Sequence, residues 1–197
     1  MAQAIDIAPR TGDALVIVDV QNDFLPGGSL AVPQGDAVLP ALNRCIEIFS
    51  ARALPVYATR DWHPPGHCSF RAQGGPWPPH CVAGSAGAAF AARLNLPRNV
   101  TVISKAAEAD QDAYSGFEAS ELDRLLRGQA VQRLFVGGLA TDYCVLNTVK
   151  DGLKLGYRVL LLLDAICAVE VQPGDGARAI AEMTALGALP VTSGDLV

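Results

Sequence analysis

Six short, nearly continuous apolar runs recur along this chain, with helical patterns between them. The runs are "ALVIVDV" (14–20), "PVYATR" (55–60), "VTVIS" (100–104), "RLFVGG" (133–138), "RVLLLLD" (158–164) and "LPVTS" (189–193). An alternating pattern would mark a strand with one wet face; a continuous one marks a strand buried on both, as in a parallel sheet. Parallel neighbours need a crossover, usually a helix, and the crossover is right-handed. Helical spacing fills the gaps. Over 36–52, Val38, Leu42, Cys45, Ile46 and Phe49 fall at three- and four-residue steps, one stripe of a helix. Phe117, Leu122, Leu125 and Leu126 do the same over 117–127. A third helix is expected from near Asp142 to Gly156, a good C-terminal stop, and a fourth over 175–186 ahead of Gly187. The pattern predicts an α/β fold: a three-layer α/β/α sandwich on a mostly parallel, about six-stranded sheet of Rossmann-like topology. Residues 62–98 break the rhythm, rich first in Pro and Gly and then in Ala. They are expected to form a loop excursion containing a short helix. With 197 residues and no internal repeat, a single domain over 1–197 with one sizeable core is the expectation.

Composition narrows the function classes. Half the residues are hydrophobic and 18% are charged, which is globular rather than disordered. A net charge of -5 without any long basic run argues against nucleic-acid and anionic-membrane partners. No stretch approaches the roughly 18 uninterrupted apolar residues of a membrane span. The start, "MAQAIDIAPRTGDALVIVDV", has no basic opening and its apolar run carries Asp19, so no signal peptide is expected. Five cysteines, odd in number and irregular in spacing, do not make a secreted disulfide framework. Reduced thiols and a cytoplasmic location are expected.

In open parallel sheets, ligands bind beyond the carboxyl ends of the strands. Asp19 ends the first strand, Asp61 and His63 follow the second, and Lys105 follows the third. After the fourth comes "GGLATDYC", which puts Cys144 in the first turn of a helix. A helix N-terminus and a nearby lysine both lower a thiol pKa. Taken singly, a cysteine there is more often a small buried apolar residue, and Asp19 and Lys105 are a strand-end acid and a surface lysine. Gathered at one sheet edge, an acid, an amine and a thiol make a nucleophile with its activators. No G-x-G-x-x-G follows the first run, so a dinucleotide site is not indicated.

All three histidines fall in one proline-broken segment, "TRDWHPPGHCSF" (59–70) and "GGPWPPHCV" (74–82). Asp61 and His63 are two apart, so in an extended chain both point to one side. His80 can fold back as a third ligand, and three protein ligands with open positions describe a catalytic rather than a structural metal site. His67 could be a fourth ligand, a supporting group or a substrate contact. Cys68 and Cys81 adjoin His67 and His80, so a structural zinc site is an alternative, weakened by the lack of a Cys-x-x-Cys pair. Plain loop histidines are the third reading.

Several motifs together resemble the nicotinamidase branch of the isochorismatase-like cysteine hydrolases: "VIVDVQNDFLPGGSLAVP" (16–33), "TRDWHPPGHCSF", "WPPHCV" (77–82), "SK" with "DAYSGF" (104–117), and "VGGLATDYCVLNTVKDGLKLGYRV" (136–159). They run in the family's order through most of the chain. The resemblance implies that Asp19, Lys105 and Cys144 are a catalytic triad and that Asp61, His63 and His80 bind one divalent metal ion, zinc, with iron or manganese as alternatives. It implies that His67 joins or lines the metal site and that Phe24, Trp77 and Tyr114 line the substrate pocket. It also implies a cis peptide at Leu139–Ala140, with the N–H groups of Ala140 and Cys144 as an oxyanion hole. The implied activity is deamidation of nicotinamide to nicotinate and ammonia through a cysteine thioester, with pyrazinamide a second substrate and homo-oligomers compatible. Two points of the sequence bear on the transfer. The spacing from Lys105 to "DAYSGF" varies in the family, and Tyr143 stands where some relatives have His. A related amidase or ureidohydrolase for another small amide is the alternative enzyme. A non-catalytic binding protein on the same fold is the alternative class, and the intact Asp19, Lys105 and Cys144 argue against it.

Overall fold

All six apolar runs become strands of one sheet in the computed structural model, which describes residues 7–197. The opening six residues of the expected signal-free N-terminus lie outside the described residues. The strands are β1 (Asp13–Val18), β2 (Val56–Asp61), β3 (Thr101–Lys105), β4 (Arg133–Leu139), β5 (Arg158–Cys167) and β6 (Leu189–Val191). Their order is β3-β2-β1-β4-β5-β6, and every neighbouring pair is parallel. β1 and β4 are buried at every position, which is why their sequences are apolar without alternation. The helices are α1 (Leu39–Ala51), α2 (Leu122–Gly128), α3 (Leu146–Lys154) and α4 (Asp175–Ala185).

Successive residues of β1 point to opposite faces, and each face builds its own core. Leu15 and Ile17 pack with Leu42 and Phe49 of α1, while Ala14, Val16 and Val18 pack with Leu126 of α2, Val149 of α3 and Met183 of α4. Phe49 meets Phe135 edge to face at 5.2 Å. Each such large side chain contributes about 1.5–3 kcal/mol by burial, and truncating the fully buried Leu126 to Ala costs about 2–5 kcal/mol. Among the described residues no helix is long and apolar enough to cross a membrane.

The structure departs from the sequence pattern in three places. The expected helix over 117–127 starts only at Leu122. Ser120 Oγ donates to the Gly116 carbonyl and accepts from Leu122 N–H, and Ala119 takes a left-handed φ of 47°. The third helix opens with a π-helical turn, Thr141–Val145, before α3. The alanine-rich part of the 62–98 excursion is not helical; only a 3-10 turn, Arg71–Gln73, forms in that stretch. Tertiary hydrogen bonds override the alanine propensity there. Gln21 Nε2 donates to Ala88 O, Asn22 N to Ala89 O, Asp23 N to Gly87 O, and Ala91 N to Val20 O.

The strand order places the reversal of winding between β1 and β4, whose carboxyl ends open the crevice where ligands bind in such sheets. Gly138 takes φ 129°, and a Cβ there would run into the Val18 backbone. Only glycine lets β4 close on β1 beneath that crevice.

Candidate active site

Asp19, Lys105 and Cys144 meet at the crevice, each delivered by a different element. Asp19 follows β1 with a left-handed φ of 48°, a conformation Asp tolerates better than most residues. Lys105 ends β3, and Cys144 lies in the π-helical turn after β4. The Lys105 ammonium is 3.0 Å from Asp19 Oδ2, 2.5 Å from Asp61 Oδ1 and 3.5 Å from Cys144 Sγ. It also donates to the Ala113 carbonyl at 3.1 Å. All four side chains are buried.

The electrostatics differ from the sequence expectation. Burial pushes the Cys144 thiol well above its usual range, outweighing the opposing pull of Lys105, so the resting sulfur keeps its proton. Burial also raises Asp19, and Lys105 counters this only in part. Burial would raise Asp61 too, but Lys105 and then His63 hold it well below the carboxylate range. Burial works against the Lys105 charge, yet the two carboxylates overcome it and keep the ammonium. The ammonium therefore pairs chiefly with the nearer Asp61 and leaves Asp19 as the more basic carboxylate. Thr59 Oγ donates to Asp19 Oδ1 at 2.6 Å. Asp19 Oδ2 is buried and has no hydrogen bond besides its ion pair, which leaves it open to the thiol proton.

Asp61, His63 and His80 offer ligand atoms that all lie within 4.8 Å of one another. The folding-back of His80 has a local cause. His63 pairs with Val82 in a short parallel bridge, with His63 N donating to Cys81 O and Ala83 N to His63 O. In both imidazoles Nδ1 is taken up by a backbone carbonyl. A carbonyl oxygen can only accept, so Nδ1 of His63 donates to Ala106 O at 3.2 Å and Nδ1 of His80 to Pro78 O at 2.8 Å. The Nε2 lone pairs are then free, and metal-bound histidines commonly donate their other nitrogen in this way. His63 Nε2 is buried without a hydrogen-bond partner, 3.6 Å from Asp61 Oδ2. An unmet lone pair among an acid and a second imidazole fits a divalent cation. Burial pushes His80 down, toward the neutral ligand form. Asp19, Asp61 and Cys144 also cluster, but the Lys105 ammonium already occupies the place of a cation there.

His67 is not brought into the three-residue cluster. Its ring stacks on His63 at 4.2 Å, its Nε2 donates to Gln111 O at 3.0 Å, and its Nδ1 meets Ser69 Oγ at 2.8 Å. Both nitrogens are engaged, and the Nε2 bond joins this loop to that of Gln111. Among the described residues, Cys68 and Cys81 belong to no ligand cluster, so the structural zinc alternative has no geometry behind it. Nor are the histidines ordinary loop residues: all three are buried.

A cavity adjoins the thiol, lined by Phe24, Trp77, Tyr114, Ala140 and Cys144, with Asp61 and His80 also on its wall. Trp77 Nε1 donates to Tyr114 Oη at 3.0 Å. Tyr143 packs edge-on against Trp77 at 5.3 Å. Leu30, Val32 and Val169 complete the apolar wall. The Leu139–Ala140 peptide is cis, and the Ala140 carbonyl accepts from Tyr143 and Val145. Sequence reasoning missed Thr59, Gln21, Asp23 and the aliphatic wall. Asp23 Oδ2 accepts from Cys81 N at 2.7 Å and so holds the residue after His80. The only signal for these was proximity to the triad motif, since their partners lie some 40 or more residues away along the chain.

Residues 13–195 match the family model described as the isochorismatase domain. The nicotinamidase of Escherichia coli (strain K12) is 40% identical over 203 residues, covering 92% of this chain and 95% of that protein. The crystal structure of the pyrazinamidase of Pyrococcus horikoshii in complex with zinc superimposes with a TM-score of 0.88 at 47% identity, over 92% of this chain and 99% of that one. PnC1 from L. infantum in complex with nicotinate gives 0.89 at 41% identity, over 96% and 97%. The expected family resemblance and fold class are borne out.

Proposed function

Because the chain belongs to the isochorismatase domain family, we propose that it is an amidohydrolase converting nicotinamide to nicotinate and ammonia, and that it also takes pyrazinamide. The observation that carries this reading is a buried thiol 3.5 Å from an ammonium that also holds two carboxylates, on the wall of an aromatic-lined cavity. The nicotinamidase and pyrazinamidase activities named for the similar proteins support it, and so does the nicotinate in the L. infantum structure.

Phe24 and Trp77 hold the flat ring from two sides, and Tyr114 fixes the indole through its hydroxyl. The carboxamide carbon then lies beside Cys144. Asp19 takes the thiol proton, and the new thiolate, steadied by Lys105, adds to that carbon. Positioned proton transfer of this kind contributes about 10²–10⁴-fold. The N–H groups of Ala140 and Cys144 receive the developing oxyanion, where one such donor is worth about 3–4 kcal/mol. Asp19 returns its proton to the amine, the C–N bond breaks and ammonia leaves a thioester. A water gives its proton to Asp19 and adds to the thioester carbon; collapse expels the sulfur, which takes that proton back.

Asp61, His63 and His80 are the proposed ligands of one divalent metal ion per chain, zinc in the first instance, with iron and manganese also suited to one carboxylate and two imidazoles. When bound, the ion supplies a Lewis-acid contact for the pyridine nitrogen. The proposal covers one hydrolase domain over 1–197 with its metal-bearing loop at about 62–98, working in the cytoplasm. The test is ammonia release from nicotinamide, pyrazinamide and a carbamoyl amino acid measured side by side. Turnover of the two ring amides is expected; turnover of the carbamoyl compound alone would overturn the substrate assignment.

A further inference from the structure

Gln21 lies two residues beyond Asp19, is fully buried, and is not needed by any step above. Its carboxamide makes three hydrogen bonds. Oε1 accepts from Asp61 N at 2.8 Å, and Nε2 donates to Asp61 O at 2.8 Å and to Ala88 O at 2.9 Å. Turning the amide over would set its oxygen against two carbonyl oxygens, so the partners themselves decide its orientation. Both backbone groups of Asp61 are thus gripped by one side chain. The third bond ties the same amide to the loop that has already returned through His63 and His80.

What Asp61 does makes that grip consequential. Its carboxylate is divided, with Oδ1 on Lys105 at 2.5 Å and Oδ2 facing His63 Nε2 at 3.6 Å. A small rotation of the Asp61 backbone would let both oxygens turn to the ammonium, and one metal ligand would be lost. We propose that Gln21 is the positioning residue of the metal site: it holds Asp61 so that one oxygen serves Lys105 and the other the metal. The inference rests on the reading of Asp61, His63 and His80 as metal ligands.

The test uses purified full-length protein and zinc alone as the probe, titrated against a competing chelator. Gln21→Glu sets a carboxylate oxygen against two carbonyls, and Gln21→Met keeps the length without the hydrogen bonds. Leu126→Ala, fully buried in α2, is the control for general destabilisation, read alongside by Tm. Wild type is expected to bind one zinc per chain, and both Gln21 variants to bind it about 10- to 100-fold more weakly. Leu126→Ala should keep wild-type affinity at a comparable loss in Tm. Equal zinc affinity in wild type and the Gln21 variants would overturn the inference, as would an equal loss in Leu126→Ala. If both Gln21 variants fail to fold while Leu126→Ala folds, Gln21 is a folding residue and the inference fails. Wild type that binds no zinc would instead sink the metal-site reading beneath it.

Discussion

Buried charge occurs at both ends of this sheet, and the two ends treat it differently. At the amino edge, Arg133 opens β4 and Asp13 opens β1. Arg133 Nε and Nη2 donate to Asp13 Oδ1 and Oδ2 at 2.7 and 2.6 Å, the two-pronged geometry of a strong pair. Asp13 also accepts from Arg10 N, and Arg133 also donates to Ala8 O. At the carboxyl edge, one ammonium serves two carboxylates, while Asp19 Oδ2 and His63 Nε2 lack hydrogen bonds. A fully satisfied pair can only hold two strands together. Atoms left uncommitted in a buried site can take a proton or a cation, and functional sites are where local rules of satisfaction are broken.

The comparison breaks most visibly at the sulfur. Cys144→Ala should lower nicotinamide turnover by about 10⁴-fold or more with zinc content and Tm close to wild type. Ammonia release that persists in this variant would remove the nucleophile. Lys105→Met should lower kcat/KM by about 10²–10³-fold, the scale of one lost electrostatic contact. The matching change at the other edge, Asp13→Ala, strands a buried guanidinium and should cost about 3–5 kcal/mol of stability in urea unfolding. Its folded fraction should turn over normally. If Asp13→Ala lost kcat as Lys105→Met does, the two edges would not be functionally distinct.

A smaller effect is expected at the metal side. His80→Ala removes one of the three proposed ligands, so zinc affinity should drop about 10- to 100-fold or more, read by chelator competition. KM for nicotinamide should rise more than kcat falls. Unchanged zinc content and KM would show that His80 merely packs against Phe24, whose ring lies 5.7 Å away.

The edge that carries the chemistry was legible for the same reason the strands were. Runs such as 14–20 and 133–138 are buried on both faces, so their composition alone betrays them, and parallel order then brings their ends together. Asp19 and Lys105 could be found because each stands at the end of such a run, and Cys144 because it lies in the turn after one. Supports were not legible. Thr59 and Gln21 act through hydrogen bonds spanning 40 residues, and no local pattern records that. Asn22 and Asp23 hold the alanine-rich loop out of a helix for the same reason. The thiol's electrostatics were misjudged because a helix N-terminus is visible in sequence, whereas burial beside two carboxylates is not.

Thr59 offers the finest distinction between a group that is merely buried and one that works. Its hydroxyl donates to Asp19 Oδ1 at 2.6 Å, a bond that favours the charged carboxylate. Asp19 is already raised by burial, so the acid limb of kcat/KM should lie above the ordinary carboxylate range. Thr59→Val keeps the shape and the backbone bond from Asp19 N to Thr59 O but deletes the donor. The carboxylate then binds its proton more tightly, and the acid limb moves to higher pH. On that limb the rate should fall about tenfold, the measure of one hydrogen bond to a charged group, while the neutral plateau stays near wild type. A profile that does not move would mean that Asp19 is not the group whose ionisation limits the reaction. An alkaline limb that moves to higher pH while the acid limb stays put would mean that Asp19 must carry its proton into the first step, reversing its role from base to acid.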